Sequence, residues 1–220
     1  MWYIYSILDV FLTLFLYLVF MNIFYTFHET INKPLYLLLN WLSHNSIIEE
    51  IVYIFADAPI FILPIFLLWC WIFFNYKKNI LWKNTLLFIL YSIIFAIVIN
   101  LIIQRFVLLE RPEESLKNAG KLILQHIPDR SFPSDHATVA SAFFFSLLLF
   151  WFSRWAFIFL PFAGIMLFSR IIWWIHWPFD VCFWIIVWYI SSFTIYKNQE
   201  FIIFKKMNTL IIKIISYFKL

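Results

Sequence analysis

The fold is decided by an apolar stretch, NTLLFILYSIIFAIVINLIIQRFVL, that runs from residue 84 to residue 108. Its one charged residue, Arg105, lies near the end of the stretch. A helix needs about 20 apolar residues to cross the hydrocarbon core of a bilayer. The stretch is therefore predicted to be a transmembrane helix.

Further stretches have the same character and a similar length, and the rest of the chain fits the same class. The protein of 220 residues is 65% hydrophobic and only 13% charged, whereas a soluble domain is roughly 45 to 50% apolar. We therefore expect an all-α, polytopic membrane protein, a six-transmembrane-helix bundle in a single domain over residues 1–220. The other five predicted spans are residues 3–26, 51–74, 136–152, 155–173 and 178–196.

The end of the chain, residues 201–220, has a pattern different from that of the bundle core at residues 1–200. Apolar residues repeat at helical spacing from residue 203 to residue 218, and three lysines, Lys205, Lys206 and Lys213, lie on the opposite arc. A helix of this kind lies on a membrane surface with its lysines toward anionic headgroups. We expect a C-terminal interfacial amphipathic helix.

The basic residues are distributed unevenly over the two sides of the predicted bundle. Nine Lys and Arg fall on the side of both termini and seven on the other, of which Arg111 and Arg170 belong to the suspected site. Because cytoplasmic loops carry the excess of positive charge, both termini are predicted to be cytoplasmic. The net charge of +4 forms no basic stripe, so the expected partners are membrane lipids and no nucleic acid.

Polar clusters interrupt the apolar sequence at three predicted helix ends, all on the outer side. An ionisable group near lipid costs on the order of 2.5 to 3.5 kcal/mol even on lenient insertion scales, so such groups mark function. The clusters are Arg111-Pro112, the segment SFPSDH at residues 131–136, and Ser169-Arg170 followed by His176 and Asp180.

These clusters supply what cleavage of a phosphate ester or anhydride requires, beginning with a nucleophile and a proton donor. Pro178 favours a helix start, which places Asp180 where it can reach back to His176 and fix its tautomer. A neutral histidine held in this way is a directed nucleophile that forms phosphohistidine. His136 opens a helix, where it suits the general acid that protonates the leaving group.

The third requirement is positive charge around the phosphoryl oxygens. Arg111 and Arg170 offer planar forks that match two oxygens at a time, and Ser134 adds a further donor. These side chains stand in for a metal, so no metal and no other cofactor is expected. An alternative stays open, since His136, His176, Asp135 and Asp180 are also residue types that ligate divalent cations.

The clusters resemble the three signatures of the type-2 phosphatidic acid phosphatase superfamily, over about residues 40 to 190. The third signature, Ser-Arg, five residues, His, three residues, Asp, matches in full. The second, Pro-Ser-Gly-His, has Asp135 in place of Gly. The first, Lys, six residues, Arg-Pro, has Gln104 in place of Lys, so Arg105 one residue along is a candidate phosphate contact.

Two segments resemble one branch of this superfamily, the bacitracin-resistance undecaprenyl-diphosphate phosphatases. They are SFPSDHAT at residues 131–138, and LSHNS at residues 42–46 leading into IFAD at residues 54–57. The resemblance implies removal of the terminal phosphate from undecaprenyl diphosphate, the lipid carrier of wall synthesis. It also implies an active site that faces the extracytoplasmic side of a bacterial cytoplasmic membrane.

Other functions remain open from the sequence. Within the lipid phosphatases, the alternative substrates are a glycerolipid phosphate, such as phosphatidic acid or phosphatidylglycerol phosphate, and the phosphates of lipid A. A lipid transporter is disfavoured because transporter sites lie near mid-membrane on broken helices, and a catalytically inactive binding protein is disfavoured by the complete third signature.

The remaining polar residues are expected to play lesser parts. His28, His44 and His126 have no paired carboxylate and are predicted to be solvated loop residues. Asp57 faces either the pocket or a packing partner, and Asn100 is expected to make an interhelical hydrogen bond. Trp173, Trp174 and Trp177 are expected at headgroup level, where tryptophan forms aromatic belts, and contact with the lipid tail is the alternative.

Overall fold

The computed structural model of the protein describes residues 2–44, 46–116, 130–150, 152–173 and 175–217. Over these ranges the regular structure is helical, with no strand, so the prediction of an all-α protein is confirmed. The helices are α1 (Trp2–Phe27), α2 (Lys33–Asn40), α3 (Ser46–Tyr76), α4 (Ile80–Phe106), α5 (Pro112–Ser115), α6 (Asp135–Leu149), α7 (Ser153–Ile172), α8 (Pro178–Cys182), α9 (Trp184–Asn198) and α10 (Ile202–Tyr217).

Several helical segments are long and apolar enough to cross a membrane, which indicates a membrane-embedded protein. Among the described residues there are four such segments, and a fifth joins them if the bent α3 counts as one span. Helix α6 has 15 residues, fewer than the about 20 that a span needs, so the predicted count of six spans is not confirmed. The four segments are Thr13–Asn40, Ile80–Phe106, Arg154–Ile172 and Pro178–Asn198.

Helix α3 is bent by 51° between Glu50–Ala56 and Phe61–Tyr76. The bend covers residues 57–60, which include Pro59. Proline has no backbone N–H and its ring clashes with the preceding turn, which is a common cause of kinks. The carbonyl oxygen of Ala56, the last residue before the bend, accepts a hydrogen bond from Arg170, so the kink lies beside the polar clusters.

The N-terminal helix continues where the sequence predicted a loop. A π-helical turn, His28–Asn32, joins α1 to α2, and a 3-10 turn, Trp41–His44, follows α2. The prediction of a solvated His28 is wrong: the residue is 5% exposed, because its ring packs edge-on against Trp177. The side chains of His44 and Asp57, and the whole of His126, lie outside the described residues.

The centre of the bundle is formed by α4, α6 and α9, which pack against one another, while α7 packs against α3 and α6. Helix α6 presents small buried residues, among them Ala137, Ala140 and Ala142. Its Ser146 hydroxyl lies 3.1 Å from that of Ser192 on α9. Small residues let membrane helices approach closely, and this packing fixes the N-terminal end of α6 inside the bundle.

The C-terminal segment folds as α10, and one of its faces packs on the bundle. Phe204 and Ile211 lie against the core, and Tyr91 of α4 donates a hydrogen bond to Asn208 Oδ1 over 2.8 Å. The lysines that the sequence placed on the polar arc are exposed. The position of α10 on a membrane surface stays a prediction.

Candidate active site

The first polar cluster lies in the extended segment after α4. Arg111 is the N-cap residue of α5 and is buried. Pro112 occupies the first position of that helix, where a missing backbone N–H costs nothing. The carbonyl oxygen of Arg111 accepts a hydrogen bond from the N–H of Ser115 over 2.9 Å. The short helix thereby holds the backbone of this arginine in place.

The second cluster forms the N-terminus of α6. Ser134 is the N-cap residue, and its Oγ accepts a hydrogen bond from the N–H of Ala137 over 3.4 Å. The N–H of Ser134 donates to the carbonyl oxygen of Asp180 over 3.2 Å, which ties this cluster to the third. His136 therefore lies in the first turn of α6, where backbone N–H groups favour an anion.

The third cluster spans the turn between α7 and α8. Arg170 is in the last turn of α7, and its carbonyl oxygen accepts hydrogen bonds from the N–H groups of Ile175, over 3.3 Å, and His176, over 3.1 Å. The N–H of Trp177 donates to Asp180 Oδ2 over 3.0 Å. These bonds close the turn and bury the side chains of Arg170, His176 and Asp180.

The hydrogen-bond partners of His176 determine its tautomer. Its Nδ1 lies 2.9 Å from the carbonyl oxygen of Ser131, and its Nε2 lies 3.3 Å from Nη2 of Arg170. A carbonyl oxygen only accepts hydrogen bonds and a guanidinium only donates them. The proton is therefore on Nδ1, and the Nε2 lone pair points at a group suited to binding phosphate.

The direct hydrogen bond expected between Asp180 and His176 is not formed. The distance between Asp180 Oδ2 and His176 Nδ1 is 3.7 Å, because the carboxylate is turned toward the N–H of Trp177 and the hydroxyl of Ser131, which donates to Oδ2. Asp180 is thus linked to the imidazole through Ser131, whose hydroxyl donates to the carboxylate and whose carbonyl oxygen accepts from Nδ1. The sequence reasoning missed Ser131, although this residue opens the SFPSDH segment.

Burial and charge both act on the titration of His176, which lies between the membrane-crossing segments. Burial lowers the pKa of His176 well below its ordinary value of 6.5, and the neighbouring Arg111, Arg170 and His136 lower it further. The imidazole is therefore neutral at pH 7 and available as a nucleophile. The hydrogen bonds of His176 to Ser131 and Arg170 join the second and third clusters, and Trp177 Nε1 donates to the carbonyl oxygen of Glu110, beside the first cluster.

The two departures from the signatures contact each other. Gln104 Nε2 lies 3.1 Å from Asp135 Oδ1 and 3.2 Å from the carbonyl oxygen of Pro133. Asn100 Nδ2 donates to the same carboxylate oxygen over 2.5 Å, and Asn100 Oδ1 accepts from Thr138 over 3.0 Å. The interhelical hydrogen bond predicted for Asn100 is confirmed, and this network clamps the start of α6 to α4.

Arg105, the candidate third cation, is not directed into this network. It is exposed near the end of α4, whereas Gln104 is half-buried and faces Pro133. Successive residues of a helix are about 100° apart around its axis, so the two side chains point in different directions. The position that would bring a cation to the cluster is occupied by the neutral Gln104.

An apolar groove leads away from His136 between three helices. Its volume is about 560 Å³. A second groove, of about 240 Å³, is also lined by Leu63, and none of its lining residues in the described part of the chain belongs to the three clusters. The larger groove is thus continuous with the site and suited to a hydrocarbon chain. Its lining residues are Leu63, Pro64, Leu67, Leu90, Ile93, Asp135, His136 and Val139.

A comparison with known protein families involves the same three polar clusters. The family profile of the PAP2 superfamily matches residues 85–203, which is more than half of the chain and includes all three clusters. The chain belongs to the PAP2 superfamily. Membership in the PAP2 superfamily indicates a lipid phosphatase. No curated protein and no solved structure matches this PAP2 protein.

Proposed function

We propose that this PAP2 protein is a metal-independent phosphatase that removes the terminal phosphate from undecaprenyl diphosphate through a phosphohistidine intermediate. The observation that carries the mechanism is the Nε2 lone pair of His176, which faces Arg170 over 3.3 Å. The choice of a polyprenyl diphosphate rests on the resemblance of residues 131–138 to the undecaprenyl-diphosphate phosphatases.

In the first step the terminal phosphoryl group replaces His176 as the partner of the Arg170 guanidinium. Arg111, Ser134 and the N–H groups at the start of α6 supply further donors to its oxygens. Nε2 of His176 attacks phosphorus, the N–P bond forms, and the bond from phosphorus to the bridging oxygen breaks. His136, protonated at the start, gives its proton to the leaving lipid monophosphate.

The positive charge that develops on His176 is stabilised from the other side of the ring. Nδ1–H keeps its hydrogen bond to the Ser131 carbonyl oxygen, and the charge of Asp180 lies 3.7 Å away. In the second step, water attacks the phosphohistidine while neutral His136 takes one of its protons. The N–P bond breaks, phosphate leaves, and both histidines return to their starting protonation states.

The apolar groove supports a lipid substrate and the role given to His136. A phosphoryl transfer places the attacking and leaving atoms on opposite sides of phosphorus. His176 lies in the turn after α7, whereas the groove is formed by α3, α4 and α6. A hydrocarbon chain in the groove brings the leaving oxygen to His136, at the groove's polar end, and away from the nucleophile.

The proposed location is a bacterial cytoplasmic membrane, with both termini inside and the active site facing the extracytoplasmic side. The distribution of Lys and Arg supports this orientation, because cytoplasmic loops are enriched in positive charge. An undecaprenyl diphosphate released after wall synthesis is available at that outer surface. Accessibility labelling of single cysteines introduced at the ends of α3 and α4 tests the orientation.

The deciding experiment measures phosphate release by the purified protein in detergent from undecaprenyl diphosphate, phosphatidic acid, phosphatidylglycerol phosphate and lipid A. His176→Ala is expected to remain folded and to lose several orders of magnitude in turnover, as happens when a covalent nucleophile is removed. Arg170→Ala and Arg105→Ala form a matched pair, in which Arg170→Ala alone is expected to raise KM strongly.

Each outcome of this experiment decides a different part of the proposal. Near-normal turnover by His176→Ala removes the phosphohistidine mechanism. Release from another lipid alone keeps the phosphatase and replaces the substrate. Activity that is lost with EDTA and restored by one added cation favours a metal site built from His136, His176, Asp135 and Asp180.

A further inference from the structure

The turn that carries His176 is held from outside by the N-terminal part of the chain. Nδ2 of Asn40 donates a hydrogen bond to the carbonyl oxygen of Ile172 over 2.7 Å, just before the turn. Oδ1 of Asn32 accepts a hydrogen bond from the N–H of Phe179 over 2.9 Å, just after it. The side-chain amides of Asn40 and Asn32 are thus hydrogen-bonded to the two ends of the turn that carries His176.

The same segment encloses the tryptophan that follows His176. The ring of Trp177 lies edge-on to His28, with centroids 4.6 Å apart, and to Tyr36, with centroids 5.0 Å apart. Asn32 Nδ2 lies 3.1 Å from His28 Nδ1, so the side chain of Asn32 contacts both His28 and the backbone N–H of Phe179. Trp177, expected in an aromatic belt at headgroup level, is instead fully buried.

The two amides are buried deeply enough for their hydrogen bonds to matter. Asn32 is 2% exposed and Asn40 is 3% exposed. Burying an amide costs free energy unless its polar atoms are hydrogen-bonded, so these contacts hold the turn in one position. Residues 28–40 also precede residues 85–203, the part that matches the superfamily profile.

We propose that residues 28–40 are a positioning element for the nucleophile, in which Asn32 and Asn40 hold the turn that carries His176 so that its Nε2 faces the phosphate pocket. The effect on turnover rests on the phosphatase function proposed above. Asn32 and Asn40 act through the turn, whereas Arg111 and Arg170 are placed by α5 and α7.

This arrangement predicts a selective effect on kcat. A displaced His176 slows the attack on phosphorus, while the guanidinium groups still bind the phosphoryl oxygens. A misplacement of 1 Å costs up to about 100-fold in rate. Weakening the contact between Asn32 and Phe179 therefore lowers kcat and leaves KM nearly unchanged.

The test compares Asn32→Leu, which removes the amide at similar size, with Asn32→Asp, whose carboxylate still accepts from Phe179 N–H. Asn32→Leu is expected to lower kcat by about 10- to 100-fold with KM within about twofold, and Asn32→Asp to recover most of that loss. The matched control is Asn22→Leu, since Asn22 is an exposed asparagine of α1, and its kcat is expected to stay at the wild-type value.

A second measurement does not depend on phosphatase activity. Diethyl pyrocarbonate modifies accessible histidines, and mass spectrometry reads the rate at each site. His176 is 1% exposed, so the wild type and Asn22→Leu are expected to react slowly there. Asn32→Leu is expected to react several times faster at His176, because the turn is no longer held against α1 and α2.

The outcomes separate this proposal from the phosphatase assignment. A folded Asn32→Leu with wild-type kcat and wild-type modification of His176 overturns it, as does an equal loss in Asn32→Leu and Asn32→Asp. If Asn32→Leu does not fold, Asn40→Ala repeats the comparison at the other end of the turn. If the wild type releases no phosphate from any lipid, the assignment fails and the modification rates alone decide the positioning proposal.

Discussion

Ser131→Ala isolates the link between Asp180 and the nucleophile. The change removes the hydroxyl that donates to Asp180 Oδ2 and leaves the backbone carbonyl that accepts from His176 Nδ1. Asp180 Oδ2 then keeps the N–H of Trp177 as a donor at 3.0 Å. Its other oxygen, Oδ1, has no hydrogen-bond partner among the described residues. The carboxylate is therefore left with fewer donors in a fully buried position.

The expected magnitude follows from that loss. A hydrogen bond to a charged group contributes about 1.5 to 3 kcal/mol. Asp180 stabilises the positive charge that develops on His176 during attack, so disorder of the carboxylate raises the barrier of the chemical step. If the whole contribution is lost in the transition state, kcat falls about 10- to 150-fold. KM changes little, since Ser131 is not among the groups that bind phosphate.

The assay is steady-state phosphate release by Ser131→Ala, Ser131→Thr and the wild type in the same detergent. Thermal unfolding of each variant establishes that the folded fractions are equal. Ser131→Thr keeps a hydroxyl and is expected to retain most of the wild-type kcat. Asp180→Asn is the second arm, and the double variant is expected to lose less than the product of the single losses, because residues acting as one unit are not additive.

Three results refute this reasoning. The first is a kcat for Ser131→Ala within about twofold of the wild type, since a hydrogen bond that matters in the transition state costs more than that. The second is full multiplicativity in the double variant, which means that Ser131 and Asp180 act separately. The third is an equal loss in Ser131→Ala and Ser131→Thr, which shows that the hydroxyl is not the cause.

Further predictions concern the nucleophile, the groove and the altered signatures. Because the pKa of His176 lies well below 6.5, the nucleophile stays neutral as the pH falls through that value. The acid limb of kcat that belongs to His176 is therefore expected well below pH 6.5, and an acid limb near pH 6.5 that persists in His136→Ala contradicts this. Leu67→Trp narrows the groove and is expected to lower kcat/KM for long-chain lipid phosphates by about 10-fold or more relative to kcat/KM for a short-chain soluble phosphate. The control, Leu68→Trp at the exposed neighbouring residue, is expected to leave the ratio of these two kcat/KM values unchanged. The same ratio in both variants excludes the groove as the binding site of the lipid chain. In Gln104→Lys the new lysine is expected to pair with Asp135, which is within reach of residue 104, and KM is expected to stay within about twofold of the wild-type value. A much lower KM, which persists when Asp135→Asn is added, shows instead that the lysine makes a new contact with phosphate.

The sequence was sufficient for the class of protein and for the positions of most helices. Long apolar runs have few other stable states, because the backbone must satisfy its own hydrogen bonds in lipid. The sequence was not sufficient for the number of membrane spans. The run at 136–152 yields a helix of 15 residues, α6, whose N-terminus is drawn into the bundle by Asn100 and Gln104.

The candidate site divides in the same way. Arg111, His136, Arg170 and His176 could be selected from the sequence because charge in an apolar chain needs a task or a partner. Arg105 was selected because it follows Gln104, which occupies the lysine position of the first signature. Its exposed position depends on the rotation of α4 about its own axis. Sequence spacing predicts which residues share a helix face, but it does not predict the rotation of that helix in the bundle.

By itself, then, the order of residues determined an all-helical membrane protein and a candidate set of arginines and histidines for binding phosphate. Tertiary structure alone decided which nitrogen of His176 carries the proton, because the carbonyl oxygen that accepts from Nδ1 belongs to Ser131, 45 positions away in the chain. It also decided that residues 28–40 hold the His176 turn. Contacts between residues more than a hundred positions apart leave no periodic signal, since they depend on how helices pack and not on the pattern within any one of them.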